Sequence, residues 1–402
     1  MARSASAAPS RCPHPRRPRC SQSQAWAHFA AAGDPARRGA PVRCAPRVLP
    51  SPSVFHGPAR PIHVIGCGAI VRDAHLPAYA LDGMPVAGFL DLDATRAESL
   101  AATVHGAKAF PALPALIEAC AAAGGVYDLA LPPQAMQAVI DALPEGSTIL
   151  LQKPFGRDLA EATALLATLE RRKMRGCVNL QLRHAPAVTA LRRLLASGSL
   201  GEPLDLELRV VCRMPWENWP FLEALPRMEI LMHSIHYLDL CRALFGEPER
   251  VWSAAFAHPG SPRLADARST TALSFAGGRR AVVTTYHHHA APPRHDASHL
   301  RLECTRGTAV ARLGVNLNYP EGLPDTLEWS ADGAPWQAVA LAGNWFPHAF
   351  RGPMREAQRA AADAAFVPAT SFRDAWRTMA LVETCYRSAA RGEMMPEEPA
   401  PA

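Results

Sequence analysis

The sequence predicts two folded domains behind a polar tail: an N-terminal α/β domain with a doubly wound parallel sheet, and a C-terminal α+β domain with a large, mostly antiparallel open sheet. Three observations carry this. Strand-like and helix-like segments alternate from 61 to about 180, a glycine-punctuated turn closes the first strand with a carboxylate about twenty residues on, and beyond about 200 strands follow strands. With 402 residues, the chain exceeds one ordinary core at roughly 100–200 residues per domain. The hydrophobic share of 49% and charged share of 19% describe a globular protein. No apolar run approaches the ~18 residues that span a bilayer, so no membrane partner is expected.

Residues 1–60 hold ten Pro and ten Arg against the single acid Asp34, which predicts a disordered basic tail. The formal charge of +6 therefore belongs to the tail, and nothing in 61–402 calls for nucleic acid. Arg16-Arg17 ahead of Ala25–Ala32 is too short and broken an apolar stretch to read as an export signal. The ten cysteines show no C-x-x-C pair, which fits reduced thiols and a cytoplasmic protein.

The first domain spans 61–182. Its strands are expected at Ile62–Ile65, Val86–Leu90, near Ala107–Phe110, Tyr127–Leu131, Thr148–Leu151 and Gly176–Leu180. Helices are expected around Ile70–Leu81, Ala94–Val104, Leu113–Ala123, Pro133–Leu143 and Asp158–Arg172. After Ile65 the chain reads Gly66-Cys67-Gly68-Ala69-Ile70-Val71. Gly66 permits the tight turn, Gly68 lets backbone approach a pyrophosphate, and the N–H groups of the next helix point at its charge. Val71 departs from the usual third small residue. Asp91 closes the second strand, where a carboxylate binds the adenosine ribose and repels the extra phosphate of NADP. The expected arrangement is a Rossmann domain using NAD rather than NADP. Leu131-Pro132-Pro133 and Gln152-Lys153-Pro154 fall at strand carboxyl ends and should border the nicotinamide.

The second domain spans 183–402. A helix from Pro186 to about Ser197 precedes strands at Pro203–Val211, Arg250–Phe256, Thr270–Phe275, Ala281–Tyr286 and Arg301–Cys304, with more to Ala340. One helix interrupts, around Glu229–Phe245, and two final helices, about His348–Ala365 and Phe372–Arg391, pack on the first domain or along the sheet.

Several motifs in this order resemble the Gfo/Idh/MocA oxidoreductases: the Gly66–Ile70 turn with Ala74-His-Leu-Pro77, Asp91, Leu131-Pro-Pro133, Gln152-Lys-Pro154, Arg183 with Pro186, Ser197–Gly201, His236-Tyr-Leu-Asp239 and Phe350–Met354. The resemblance implies an NAD-dependent dehydrogenase acting on a CH–OH group of a sugar, sugar derivative or cyclitol. It also implies a homodimer or homotetramer paired through the second sheet. Gly66, Gly68, Ala69, Ile70, Asp91, Leu131, Pro132, Gln152 and Lys153 would hold the cofactor. Lys153 and His236 would carry proton movement, because an ammonium desolvated beside a cationic nicotinamide has a lowered pKa. His233 lies one turn before His236 on the same helix face and would bind substrate. Asn179, Gln181 and Arg183 would join it if the strand alternation continues, with a structural ion pair as the other reading of Arg183. Gln152, Met136 and Met232 depart from the family's usual glutamate, histidine and aspartate. Two rivals share the scaffold: a glycosidase using NAD transiently, and a ligand sensor without turnover. No metal is expected, since alternation separates His288 from His287 and His289, and no Cys or carboxylate partner stands at ligand spacing. Trp216-Glu-Asn-Trp219-Pro-Phe221 would supply either aromatic walls for a sugar ring or a core patch.

Overall fold

The computed structural model describes residues 57–319 and 321–391. The tail expected over 1–60 lies almost wholly outside them. Arg60 is already part of the fold, since its backbone N–H donates to Gln358 Oε1 at 2.8 Å and its carbonyl accepts from Gln358 Nε2 at 2.9 Å.

The first sheet is fully parallel. It holds β1 (Ile62–Ile65), β2 (Val86–Leu90), β3 (Lys108–Ala109), β4 (Val126–Leu129), β5 (Thr148–Leu151) and β6 (Arg175–Val178), in the spatial order 3-2-1-4-5-6. β1, β4 and β5 are buried at every position, their polar residues His63, Asp128 and Thr148 included. The order reverses between β1 and β4, so the ligand crevice of such a sheet opens at their carboxyl ends. The helix after β1 begins as a π turn, Val71–His75, and continues as α1 (Leu76–Leu81). Then follow α2 (Ala94–Thr103), α3 (Leu113–Ala122), α4 (Pro133–Ala142) and α5 (Leu159–Arg171). Local capping starts two of them: Asp93 accepts from the Thr95 N–H, and Asp158 from the Glu161 N–H.

β6 stops at Val178, two residues before the expected end, and residues Gln181–His184 form a 3₁₀ turn. Beyond it come α6 (Pro186–Ala196), β7 (Pro203–Val211), and a π turn, Ile230–Ser234, leading into α7 (Ile235–Phe245). The second sheet combines β7 with β8 (Arg250–Phe256), β9 (Arg268–Ser274), β10 (Arg280–Tyr286), β11 (Ala297–Cys304), β12 (Gly307–Arg312), β13 (Thr326–Ala331) and β14 (Gln337–Ala338), in the order 14-13-12-11-7-10-9-8. Only the β7–β10 pair is parallel, as expected for a mostly antiparallel sheet.

Two helices close the described residues. α8 (Arg351–Ala362) returns to the first sheet, burying Met354 and Ala357 in the cluster that holds Val64 and Phe89. Arg351 and Arg355 clamp it to Asp82 at the end of α1. α9 (Phe372–Ala390) packs on β8 and α5. A single apolar cluster runs from Leu129 and Leu151 in the first sheet to Leu208 and Leu300 in the second.

Candidate active site

The cofactor turn follows from packing at β1. Gly66 has φ +94°, and a Cβ there would lie 2.5 Å from the Ala130 carbonyl oxygen, so only glycine lets the ends of β1 and β4 approach. Gly68 differs: a Cβ there would meet no protein atom within 4 Å, so its backbone faces open space suited to a phosphate. Ala69 is exposed and Ile70 half-buried at the helix start. Asp91 ties the turn to β2, its Oδ2 accepting from the Cys67 N–H at 2.6 Å and its Oδ1 from the Asp93 N–H at 2.9 Å. Leu131 borders Gly66, and the exposed Pro132 opens α4. These residues gather at the carboxyl ends of β1, β2 and β4. Arg96, the basic residue nearest Asp91 in sequence, pairs instead with Asp93 at 3.2 Å.

Behind the crevice lies a buried network that the sequence reading missed. His75 Nδ1 stands 2.7 Å from Asp128 Oδ2, which also accepts from the Tyr79 hydroxyl at 2.7 Å. On the other side of the ring, Nε2 faces Gln152 Nε2 at 3.2 Å and Asn179 Nδ2 at 3.1 Å. With two amides donating to it, Nε2 holds the lone pair and Nδ1 the proton, an assignment from the network rather than from hydrogens. Gln152 Oε1 accepts from the Lys153 N–H at 2.7 Å. Gln152 thus links the His75 ring to the Lys153 backbone. Asn179 is likewise fully buried and held by His75, not open to substrate.

The expected alternation of Asn179, Gln181 and Arg183 fails because the strand ends before them. Gln181 sits 3% exposed in the 3₁₀ turn. Arg183 donates to Asp239 Oδ2 at 2.6 Å and Oδ1 at 2.5 Å, to Asp374 Oδ2 at 2.6 Å and to the Ala369 carbonyl at 3.0 Å. Burial opposes its charge, but the two carboxylates outweigh it and push its pKa up. Its place in substrate binding is therefore corrected: Arg183 is a buried structural ion pair joining α7 to α9.

Lys153, half-buried just past β5, sends Nζ to the Met232 carbonyl at 3.0 Å, in the π turn ahead of α7. Burial pulls its pKa down to about 8. His236 is held far below the ordinary imidazole range by burial, then by its neighbours Lys153 and His233, and its Nδ1 has no partner. Its ring meets Trp345 edge-on at 5.7 Å. His233 is pulled down to about 3, by burial first and then by His287, and it hydrogen-bonds the Asn316 side chain. Three groups expected at one site thus share it, and both histidines are neutral there.

The structure adds two residues. Glu229 is fully buried at the start of the π turn, four positions before His233. His287, just past β10, brings Nε2 to 2.8 Å from Glu229 Oε2. Burial disfavours charge on both, yet each sustains the other: His287 rises to about 10 and Glu229 falls to about 2. The sequence offers the histidine run no carboxylate at ligand spacing, and the fold supplies one from 58 residues away. The Glu229–His233 spacing was visible, but only the fold supplies His287. The run itself splits three ways, with His288 beside Ser261 and His258, and His289 3.3 Å from Asp296. Trp216 meets His287 edge-on at 5.3 Å and Trp219 meets Tyr319 at 5.2 Å, so this loop walls the His287 side of the site.

Residues 61–180 match the oxidoreductase family with an NAD-binding Rossmann fold, and residues 188–310 match the Gfo/Idh/MocA C-terminal domain. The D-apiose dehydrogenase of Paraburkholderia graminis is 27% identical over 344 residues, covering 82% of this chain and 87% of that protein. The D-apiose dehydrogenase of Rhizobium rhizogenes is 24% identical over 282 residues, covering 66% of this chain and 77% of that protein. The fold matches the aldose-aldose oxidoreductase of Caulobacter crescentus with a TM-score of 0.71 at 14% identity, over 83% of this chain and 98% of that one. The WlbA dehydrogenase of Bordetella pertussis, crystallised with NADH and UDP-GlcNAcA, matches with a TM-score of 0.63 at 19% identity, over 85% of this chain and all of that one. No support for the glycosidase or sensor readings comes from these relatives. Glycine turn, strand order, second sheet and sequence match agree, and the chain belongs to the Gfo/Idh/MocA family of NAD-binding oxidoreductases.

Proposed function

We propose that this chain oxidises a CH–OH group of a sugar, sugar derivative or cyclitol, with Lys153 as the proton acceptor. The observation that carries the reading is the lowered pKa of Lys153, about 8, at a strand carboxyl end beside two neutral histidines. A proton acceptor must be unprotonated for part of the time, and burial gives this amine that property. His236 and His233, being neutral, orient the substrate hydroxyls by hydrogen bonding. The turn at Gly66 and Gly68, with Ala69, Ile70, Leu131 and Pro132, fits a dinucleotide, and the Asp91 carboxylate favours NAD over NADP. NAD bound there supplies the hydride acceptor. In the reverse direction the Lys153 ammonium returns the proton.

The relatives matched over most of their length are named for D-apiose, so apiose heads the substrate panel, followed by other aldoses, sugar acids and cyclitols. The test is NADH absorbance with this panel, comparing wild type with Lys153→Ala. Reduction by one substrate class that disappears in the variant is the expected result. A flat trace from protein that binds NAD would overturn the reading.

We also place subunit pairing on the second sheet, where Leu204, Trp252 and Phe256 stand exposed. Light scattering should then report a homodimer or homotetramer. No described helix is long and apolar enough to cross a membrane, and the seven described cysteines are all free, six of them buried, in keeping with a cytoplasmic protein.

A further inference from the structure

We infer that Glu229, His233 and His287 form a site for one divalent transition-metal ion of the zinc class. Each offers one ligand atom, and these atoms lie within 4.8 Å of one another. Ligands of a tetrahedral zinc ion stand about 3.3 Å apart, so small side-chain rotations close the set. The polar inventory points the same way. His233 Nδ1 is buried without a hydrogen-bond partner, and Glu229 Oε2 and His287 Nε2, 2.8 Å apart, have only each other. A buried carboxylate and two imidazoles whose ligand atoms converge, one of them unpartnered, are what a cation taking the place of the shared proton would join.

The surrounding contacts aim these atoms. Glu229 Oε1 accepts from Ser234 Oγ at 2.5 Å and Thr285 Oγ1 at 2.7 Å, which leaves Oε2 to point inward. Asn316 Nδ2 donates to Tyr237 and Ser298, so its oxygen takes the proton of His233 and leaves Nδ1 with the lone pair. Outer partners of this kind fix the tautomer of a ligating histidine. Asp266 Oδ1 accepts the Met228 and Glu229 N–H groups at 2.8 and 2.6 Å, anchoring the turn from which two ligands project. Two imidazoles and one carboxylate suit zinc, cobalt or ferrous iron rather than magnesium or calcium, and three protein ligands leave a coordination position open. The turn that brings His233 to the set also receives Lys153, whose Nζ binds the carbonyl of Met232, the neighbour of His233, and so approaches that open position. An oxygen of the substrate would fill it, a role that rests on the activity proposed above; metal binding itself does not.

The test strips the full chain with a chelator and titrates it with Co²⁺, then Zn²⁺. It follows visible ligand-field absorption, and metal content by mass spectrometry, so that failure of turnover cannot be mistaken for failure of the site. The inference expects one ion per protomer and displacement of Co²⁺ by Zn²⁺. Glu229 is fully buried and its loss threatens the fold, so the half-buried His233 carries the main substitution, with circular dichroism as the check. His233→Gln and His287→Gln should each lose affinity on the order of 100-fold, at or above the cost of losing an outer partner. Folded protein that stays metal-free at equimolar Zn²⁺ would leave Glu229 and His287 as a plain ion pair and overturn the inference. Stoichiometric binding that survives both substitutions would overturn it too, because the ion would then sit elsewhere.

Discussion

Lys153 should give NAD reduction a pH profile that a surface lysine could not. Burial moves its pKa from 10.5 to about 8. At pH 7 the neutral fraction rises from about 0.03% to about 10%, a gain of roughly 300-fold, or about 3 kcal/mol at 1.36 kcal/mol per pKa unit. Oxidation uses the neutral amine, so kcat/KM should climb about tenfold per pH unit below the bend near 8 and level off above it. Carbonyl reduction uses the ammonium and should fall above the same bend. Steady-state rates from roughly pH 6 to 10 read both limbs, and Lys153→Ala should lower kcat/KM by about 10²–10⁴-fold and flatten the profile. A bend near 10.5, or an unchanged profile in the variant, would refute the reasoning that burial prepares this amine.

Three further outcomes follow from the same contacts. Arg183→Met leaves the fully buried Asp239 with only the Thr378 hydroxyl at 2.7 Å and Arg242 at 3.8 Å and should cost about 3 kcal/mol in urea unfolding; an unchanged midpoint with a raised substrate KM would restore Arg183 to the substrate. Burial raises the Glu356 carboxyl from 4.5 to about 7, so the folded state prefers the acid and wild-type stability falls as pH rises across that window. Glu356→Gln should therefore match wild type below about pH 4.5 and exceed it by about 3 kcal/mol above pH 7; thermal melts at both ends give the difference. Gly66→Ala forces a Cβ against the Ala130 carbonyl at positive φ and should cost about 1–3 kcal/mol, with weakened NAD binding in a fluorescence titration.

Much of the fold was legible because its signals are local. Gly66, Gly68 and Asp91 follow strands whose apolar runs announce a parallel sheet, and the turn to successive strands after Pro203 announces the second domain. Lys153, His233 and His236 could be placed together because two lie on one helix face and the third at a strand end. The failures came where a local period was carried past its element. Asn179, Gln181 and Arg183 share a face only if β6 continues, and it stops at Val178 in favour of a 3₁₀ turn. His75 with Asp128, and Glu229 with His287, are pairs made by tertiary packing between distant elements. No spacing in the sequence encodes them.

The central claim is net oxidation of a carbohydrate by NAD, and the amount of NADH formed per protomer tests it most directly. With the active sugar and NAD in excess, NADH should accumulate to many equivalents per protomer and match the oxidised sugar mole for mole. NADH that stops at one equivalent or fewer while the sugar is still consumed would mean that bound cofactor is recycled within each turnover, and would contradict the account.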